Sequence, residues 1–162
     1  LFTWFACGIY RFIFNKGVAM NYKKILIAVD SSEYAMAAAK KGFALAHQLN
    51  AQAALLFVVD TAKALGNVDA GILPQQALIV LTKEAEETLD QLAGMYNGSD
   101  LVKFMPEGHP REDILKTAEI WEADLIVLGT HGRTGLMHLL LGSNAEYIVR
   151  HSRIPVMVVP SR

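Results

Sequence analysis

The residues best suited to chemistry lie in one stretch, GTHGRTGLMHLLLGSNA, from Gly129 to Ala145. Gly129 and Gly132 follow an apolar run, Leu125-Ile126-Val127-Leu128, and Gly142 stands directly before Ser143 and a segment with helical character. Glycine has no Cβ, so it can take positive φ or let another group come against the backbone. The first N–H groups of a helix have no partner within it, and the helix dipole places partial positive charge there. An anion set against Gly142-Ser143-Asn144-Ala145 would satisfy those donors. Ser143 can add its hydroxyl. Arg133 to Leu141 would then form an arm over the pocket, with His131 and Arg133 available to a phosphate. The spacing is neither GxGxxG nor GxxxxGK[ST], and glycines alone fit a plain turn and cap equally well.

Such a site needs elements that hold it, and the chain alternates between strand and helix patterns. Ile25 to Val29 is a short apolar run rich in β-branched residues, the pattern of a strand buried on both faces. Asp30, Ser31 and Ser32 supply N-cap chemistry for a helix over Tyr34 to Leu49, which Asn50 can end. Ala53 to Val59 reads as a second strand and Asp60 to Leu73 as a long connection. Pro74 opens a helix from Gln75 to Met95. Its acidic run, Glu84 to Asp90, reads as a solvated face. Leu101 to Met105 is a third strand. Pro110 starts the next helix, with Glu112 and Asp113 in its first turn. Asp124 to Leu128 is a fourth strand, Ser143 to His151 a helix and Ile154 to Val159 a fifth strand. This alternation predicts an α/β fold, a parallel sheet with helices on both faces. Ligands of such sheets bind beyond the carboxyl ends of the strands, where strand order reverses. That places the candidate site at Asp30, at Val58 to Asp60, and from Gly129 onward.

Composition narrows the function. A chain of 162 residues suits one domain, and a net charge of −1 excludes a general nucleic-acid binder, which needs a basic face. The single cysteine, Cys7, forms neither an internal disulfide nor a cysteine zinc site, and fits a reducing, cytoplasmic setting. His47, His109, His138 and His151 read as surface, loop or cap residues, and no metal constellation is present. A nucleophile triad needs Ser, His and Asp brought together, for which Ser31 or Ser143 with His131 is conceivable. Residues 1–19 are aromatic-rich and lack acidic residues, but Arg11 interrupts them too early for a membrane span. Met20, directly before NYKKILIAVD, is expected to be the start of the domain, spanning 20–162, with 1–19 as upstream translation. The rival expectation is a genuine interfacial or membrane-anchoring segment.

GTHGRTGLMHLLLGS reads G-x2-G-x9-G-S and resembles the nucleotide-binding signature of the universal stress protein family. KKILIAVDSSEYA, EGHPREDILKTAEIWEADLIVLGTHGRTG and GSNAEYIVRHSRIPVMVVP resemble further family segments in the family's order. The resemblance spans Met20 to Arg162. It implies a three-layer, open, twisted five-stranded parallel sheet in order 3-2-1-4-5, of the adenine nucleotide alpha hydrolase-like, Rossmann-like kind. It also implies ATP binding, with Mg²⁺, by a stress-response sensor or regulator. Carried over by position, adenosine contacts fall on Ala28, Asp30, Val58, Leu128 and Gly129, with Val29 beside them. Phosphate contacts fall on Gly132, Gly142, Ser143, Asn144 and Ala145, and the loop reading above adds His131 and Arg133. Ala145 departs from binders that carry a hydroxyl residue there, a loss of roughly 1–2 kcal/mol. No catalytic residue is assigned. The resemblance further implies a homodimer through strand five, Val156 to Val159. Two alternatives stay open: a slow ATPase, with Asp30 or His131 orienting water, and a nucleotide-free dimeric interaction module.

Overall fold

Apolar runs that alternate between two buried faces form the centre of the molecule. The computed structural model describes residues 22–65, 73–98, 100–131 and 141–160. Residues 1–19, the Met20 start, Gly132, Arg133 and His138 lie outside the described residues. Strands β1 (Lys24–Val29), β2 (Gln52–Phe57) and β6 (Leu125–Gly129) are buried almost throughout, while β4 (Leu101–Phe104) and β7 (Val156–Val159) lie at the two edges. All pairings in this sheet are parallel, in the order β4-β2-β1-β6-β7. Counting these five strands along the chain gives the expected order 3-2-1-4-5.

Each central strand serves two cores. Ile25, Ile27, Val29, Leu55, Phe57 and Val127 pack under helices α1 (Glu33–Leu49) and α3 (Pro74–Ala93). Leu26, Ala28, Leu56, Val58, Ile126 and Leu128 face α4 (Pro110–Ile120) and α5 (Ser143–His151) on the other side. Full burial of each large aliphatic side chain contributes about 1.5–3 kcal/mol, so continuous apolar runs are what a sheet covered on both faces selects. Gly42 sets the closeness of α1 to the sheet. A Cβ there would sit 2.6 Å from Ile27 Cδ1, whose side chain is fully buried.

Several connections are specified locally. Asp124 Oδ2 accepts the backbone N–H groups of Lys23 (2.7 Å) and Lys24 (2.9 Å), clamping the start of β1 to that of β6. Asn50 ends α1 in the left-handed conformation, φ 50°, and donates its amide back to the last turn. The start of α1 differs from simple capping. Asp30 Oδ1 accepts the amide of Ser32 at 3.0 Å and also its hydroxyl, so the Ser32 side chain is committed to Asp30 rather than to the helix amides.

Three elements depart from the sequence reading. β2 stops at Phe57, and Val59–Asp60 forms a separate short strand, β3, parallel to β5 (Glu107–Gly108). The Val59 N–H donates to the Pro106 carbonyl at 2.9 Å. A short helix, α2 (Thr61–Leu65), occupies the start of the expected connection. β7 begins at Val156 rather than Ile154, because Pro155 has no N–H to offer, although its carbonyl accepts from Ile126. Among the described residues no helix is long and apolar enough to cross a membrane.

Candidate functional site

Because strand order reverses between β1 and β6, the chain leaves these two strands in opposite directions and opens a cleft between them. The cleft has a volume of about 670 Å³, within the ordinary range for small-molecule sites. Ala28, Val58, Leu128, Ile114 and Ile148 give it an apolar floor. Ala28, Val29, Asp30, Val58, Leu128, Gly129, His131, Gly142, Ser143, Asn144 and Ala145, all anticipated from sequence, line it together. Of the imagined nucleophile pairs, Ser31 does not line the cleft, and its Oγ is buried without a hydrogen-bond partner.

Gly129 ends β6 where the chain is crowded. A Cβ there would lie 3.2 Å from both the Cβ and the carbonyl oxygen of Tyr34, and 3.3 Å from the carbonyl of His131. Its missing side chain therefore admits the first turn of α1. Thr130 then acts as a junction. Its amide donates to Val159 at 3.0 Å, and its carbonyl accepts the Gly142 amide at 2.7 Å. That second bond corrects one expectation. The Gly142 N–H is not available to an anion, and Gly142 has ordinary φ and ψ of −69° and 156°. The first intrahelical bond of α5 runs from Glu146 to the Gly142 carbonyl. The donors left at the head of α5 are therefore the amides of Ser143, Asn144 and Ala145. The Ala145 side chain is buried in the apolar layer with Leu128 and Ile148, a position where a methyl needs no hydrogen-bond partner.

The structure adds residues that sequence reasoning left out. Lys63 and Glu84 stand on the wall near β3, where Lys63 Nζ lies 3.8 Å from Asp60 Oδ2. His109 to Glu112, at the head of α4, form the wall beside α5. His109 is the N-cap by position, but its backbone N–H donates to Asp113 Oδ2 at 2.7 Å and its side chain caps nothing. Arg111 Nε donates to Asn144 Oδ1 at 3.3 Å, and its guanidinium lies 5.7 Å from the centre of the Tyr147 ring. Pro110 was the available signal, since proline at the first helical position puts Arg111 in the first turn at the ligand end of the sheet. His131 Nδ1 lies 3.2 Å from Thr130 Oγ1, and its ring is 5.5 Å from that of Tyr34. Among the described residues, no group of three or more His, Cys, Asp or Glu is placed to hold a metal ion.

A parallel sheet in this order, with its cleft at the switch point and bare helix amides at one end, is an α/β fold of the adenine nucleotide alpha hydrolase-like class. Within that class the chain belongs to the universal stress protein family, whose sequence model matches residues 21–160. Universal stress protein MJ0531 of Methanocaldococcus jannaschii is 37% identical over 145 residues, covering 85% of this chain and 82% of that protein. The solved structure of MJ0577 from the same organism superposes with a TM-score of 0.76 at 31% identity, covering 88% of this chain and 98% of that one. A universal stress protein from Archaeoglobus fulgidus, solved in complex with dAMP, shares the fold with a TM-score of 0.60 at 19% identity. It covers 86% of this chain and 98% of its own.

Proposed function

We propose that this domain, residues 20–162, binds an adenine nucleotide, ATP foremost, and acts as a nucleotide-dependent sensor or regulator in the cytoplasm. The observation that carries this reading is the pairing in one cleft of an apolar floor with the amides of Ser143, Asn144 and Ala145, which take no acceptor among the described residues. A flat, weakly polar base suits Ala28, Val58 and Leu128, while a phosphate suits three N–H groups at a positive helix end. Asp30, an acceptor at the end of β1, fits a ribose hydroxyl while still holding the Ser32 turn. The dAMP complex of the Archaeoglobus protein supports adenine as the base. Mg²⁺ would enter on the phosphate oxygens, with few protein ligands, as is usual for this ion on nucleotides.

The domain pairs with a second copy through β7. In its parallel ladder with β6, the Pro155 and Val159 carbonyls point to β6, so the N–H and C=O groups of Val156 and Val158 point away from it. An antiparallel copy of the same strand would satisfy that edge.

Thermal melting tests the nucleotide reading directly. Ligand at 100 times Kd stabilises by about 2.7 kcal/mol. For a domain of this size that raises the melting temperature by roughly 5–11 °C. No shift with ATP, ADP or AMP at millimolar concentration would refute it. A phosphate-release assay under multiple turnover separates binding from slow hydrolysis.

A further inference from the structure

We infer that Arg111 reads the length of the phosphate chain and is the residue that favours a nucleoside triphosphate over a monophosphate. This rests on the nucleotide reading above and goes further, assigning a discriminating role to a residue on a different helix from the phosphate-binding amides. Arg111 occupies the first turn of α4 and lines the cleft beside Ser143 and Asn144.

Its guanidinium is held from two sides by α5. Asn144 Oδ1 accepts its Nε–H at 3.3 Å, and the Tyr147 ring lies 5.7 Å away. That ring is itself backed by His151, stacked with a centroid distance of 4.0 Å. Among the described residues no carboxylate pairs with the guanidinium, so its terminal NH₂ groups remain available to an incoming anion. Lys63, another long cation among the described lining residues, stands near β3 with Asp60 at 3.8 Å.

The route of the phosphates follows from this layout. A base on the apolar floor brings the first phosphate to the amides of Ser143, Asn144 and Ala145. Further phosphates must run outward, because the floor behind those amides is filled by Ile114 and Ile148. Among the described residues, Arg111 is an exposed cation lining the cleft beside that exit. The head of α4 adds a second positive helix end there, since the first bond within α4 runs from Asp113 to His109 and the Arg111 and Glu112 amides take no acceptor among the described residues. A guanidinium offers paired donors that match a terminal phosphate, and a monophosphate does not extend to it.

The test is calorimetric titration of the whole chain with ATP and AMP, for wild type, Arg111→Ala and Arg111→Lys. Loss of a charge-assisted hydrogen bond at an exposed site predicts about tenfold weaker ATP binding for Arg111→Ala, with AMP affinity changed by less than about twofold. Arg111→Lys keeps the charge but loses the paired donors and should fall between. The ATP-to-AMP affinity ratio is the readout, because a merely structural loss lowers both affinities together. An unchanged ratio in Arg111→Ala, or a wild-type protein that binds AMP as tightly as ATP, overturns the role of Arg111 and leaves nucleotide binding standing. A wild-type protein that binds neither nucleotide overturns the nucleotide reading itself, and this inference with it.

Discussion

Replacing Ser143 by proline removes one backbone amide from the proposed phosphate cradle without disturbing the helix that carries it. Ser143 is the first residue of α5, and its N–H takes no part in the intrahelical ladder, which starts with Glu146 to Gly142. Proline is well tolerated at that position. It also restricts the preceding residue to extended backbone, and Gly142 already sits at φ −69° and ψ 156°. Pro110 opens α4 in the same way in this molecule. The unliganded Ser143→Pro protein should therefore melt within about 2 °C of wild type, as an exposed substitution worth no more than about 0.5 kcal/mol does. Its nucleotide affinity should fall much further. A hydrogen bond to a charged group is worth about 1.5–3 kcal/mol, which corresponds to roughly 10- to 150-fold in Kd. Ser143→Ala controls for the hydroxyl, so the difference between the two variants in calorimetric titration with ATP isolates the amide. Equal affinities for Ser143→Pro and Ser143→Ala, at equal melting temperature, would show that this N–H does not hold phosphate.

Three further outcomes follow from the packing and the sheet edges. Gly42→Val pushes a side chain into the buried Ile27, and should cost about 1–3 kcal/mol, seen as a lower midpoint in urea; an unchanged midpoint would mean that α1 is not held against β1 as tightly as the 2.6 Å approach implies. Asp124→Ala strips the acceptor from the Lys23 and Lys24 amides and should cost about 1–3 kcal/mol, whereas Asp124→Asn, which keeps an oxygen there, should cost less; equal losses would contradict the clamp. Val158→Pro removes an N–H on the side of β7 that faces away from β6 and should convert the proposed dimer to a folded monomer by light scattering; a dimer of unaltered mass would rule out pairing through this edge.

The long elements were legible because their signals are local. Apolar runs at 25–29 and 125–128 specify strands buried on both faces, and α5 runs from Ser143 to His151 as its sequence reads. The β3–β5 ribbon was not legible. Val58 and Val59 continue the apolar run of β2, and nothing within it reveals that Val59 turns to a partner at Glu107, far along the chain. Two paired residues are too few to show a period. The bond of the Gly142 amide is hidden in the sequence for a related reason. Its position suggested a bare donor, but the Thr130 carbonyl, brought round by the end of β6, takes it. The place of Arg111 in the cleft is not legible locally, because it comes from the packing of α4 beside α5, where Ile114 and Ala118 share one apolar layer with Ala145 and Ile148. By contrast, Asp30, Val58 and Gly129 were found because strand ends at a switch point are predictable from topology alone.

The small ribbon has a mechanical consequence. It ties the segment just after Val58 to the segment just before Pro110, and both lead into residues that line the cleft. Those two segments are thus latched to each other by backbone pairing, so a ligand that shifts one must carry the other with it.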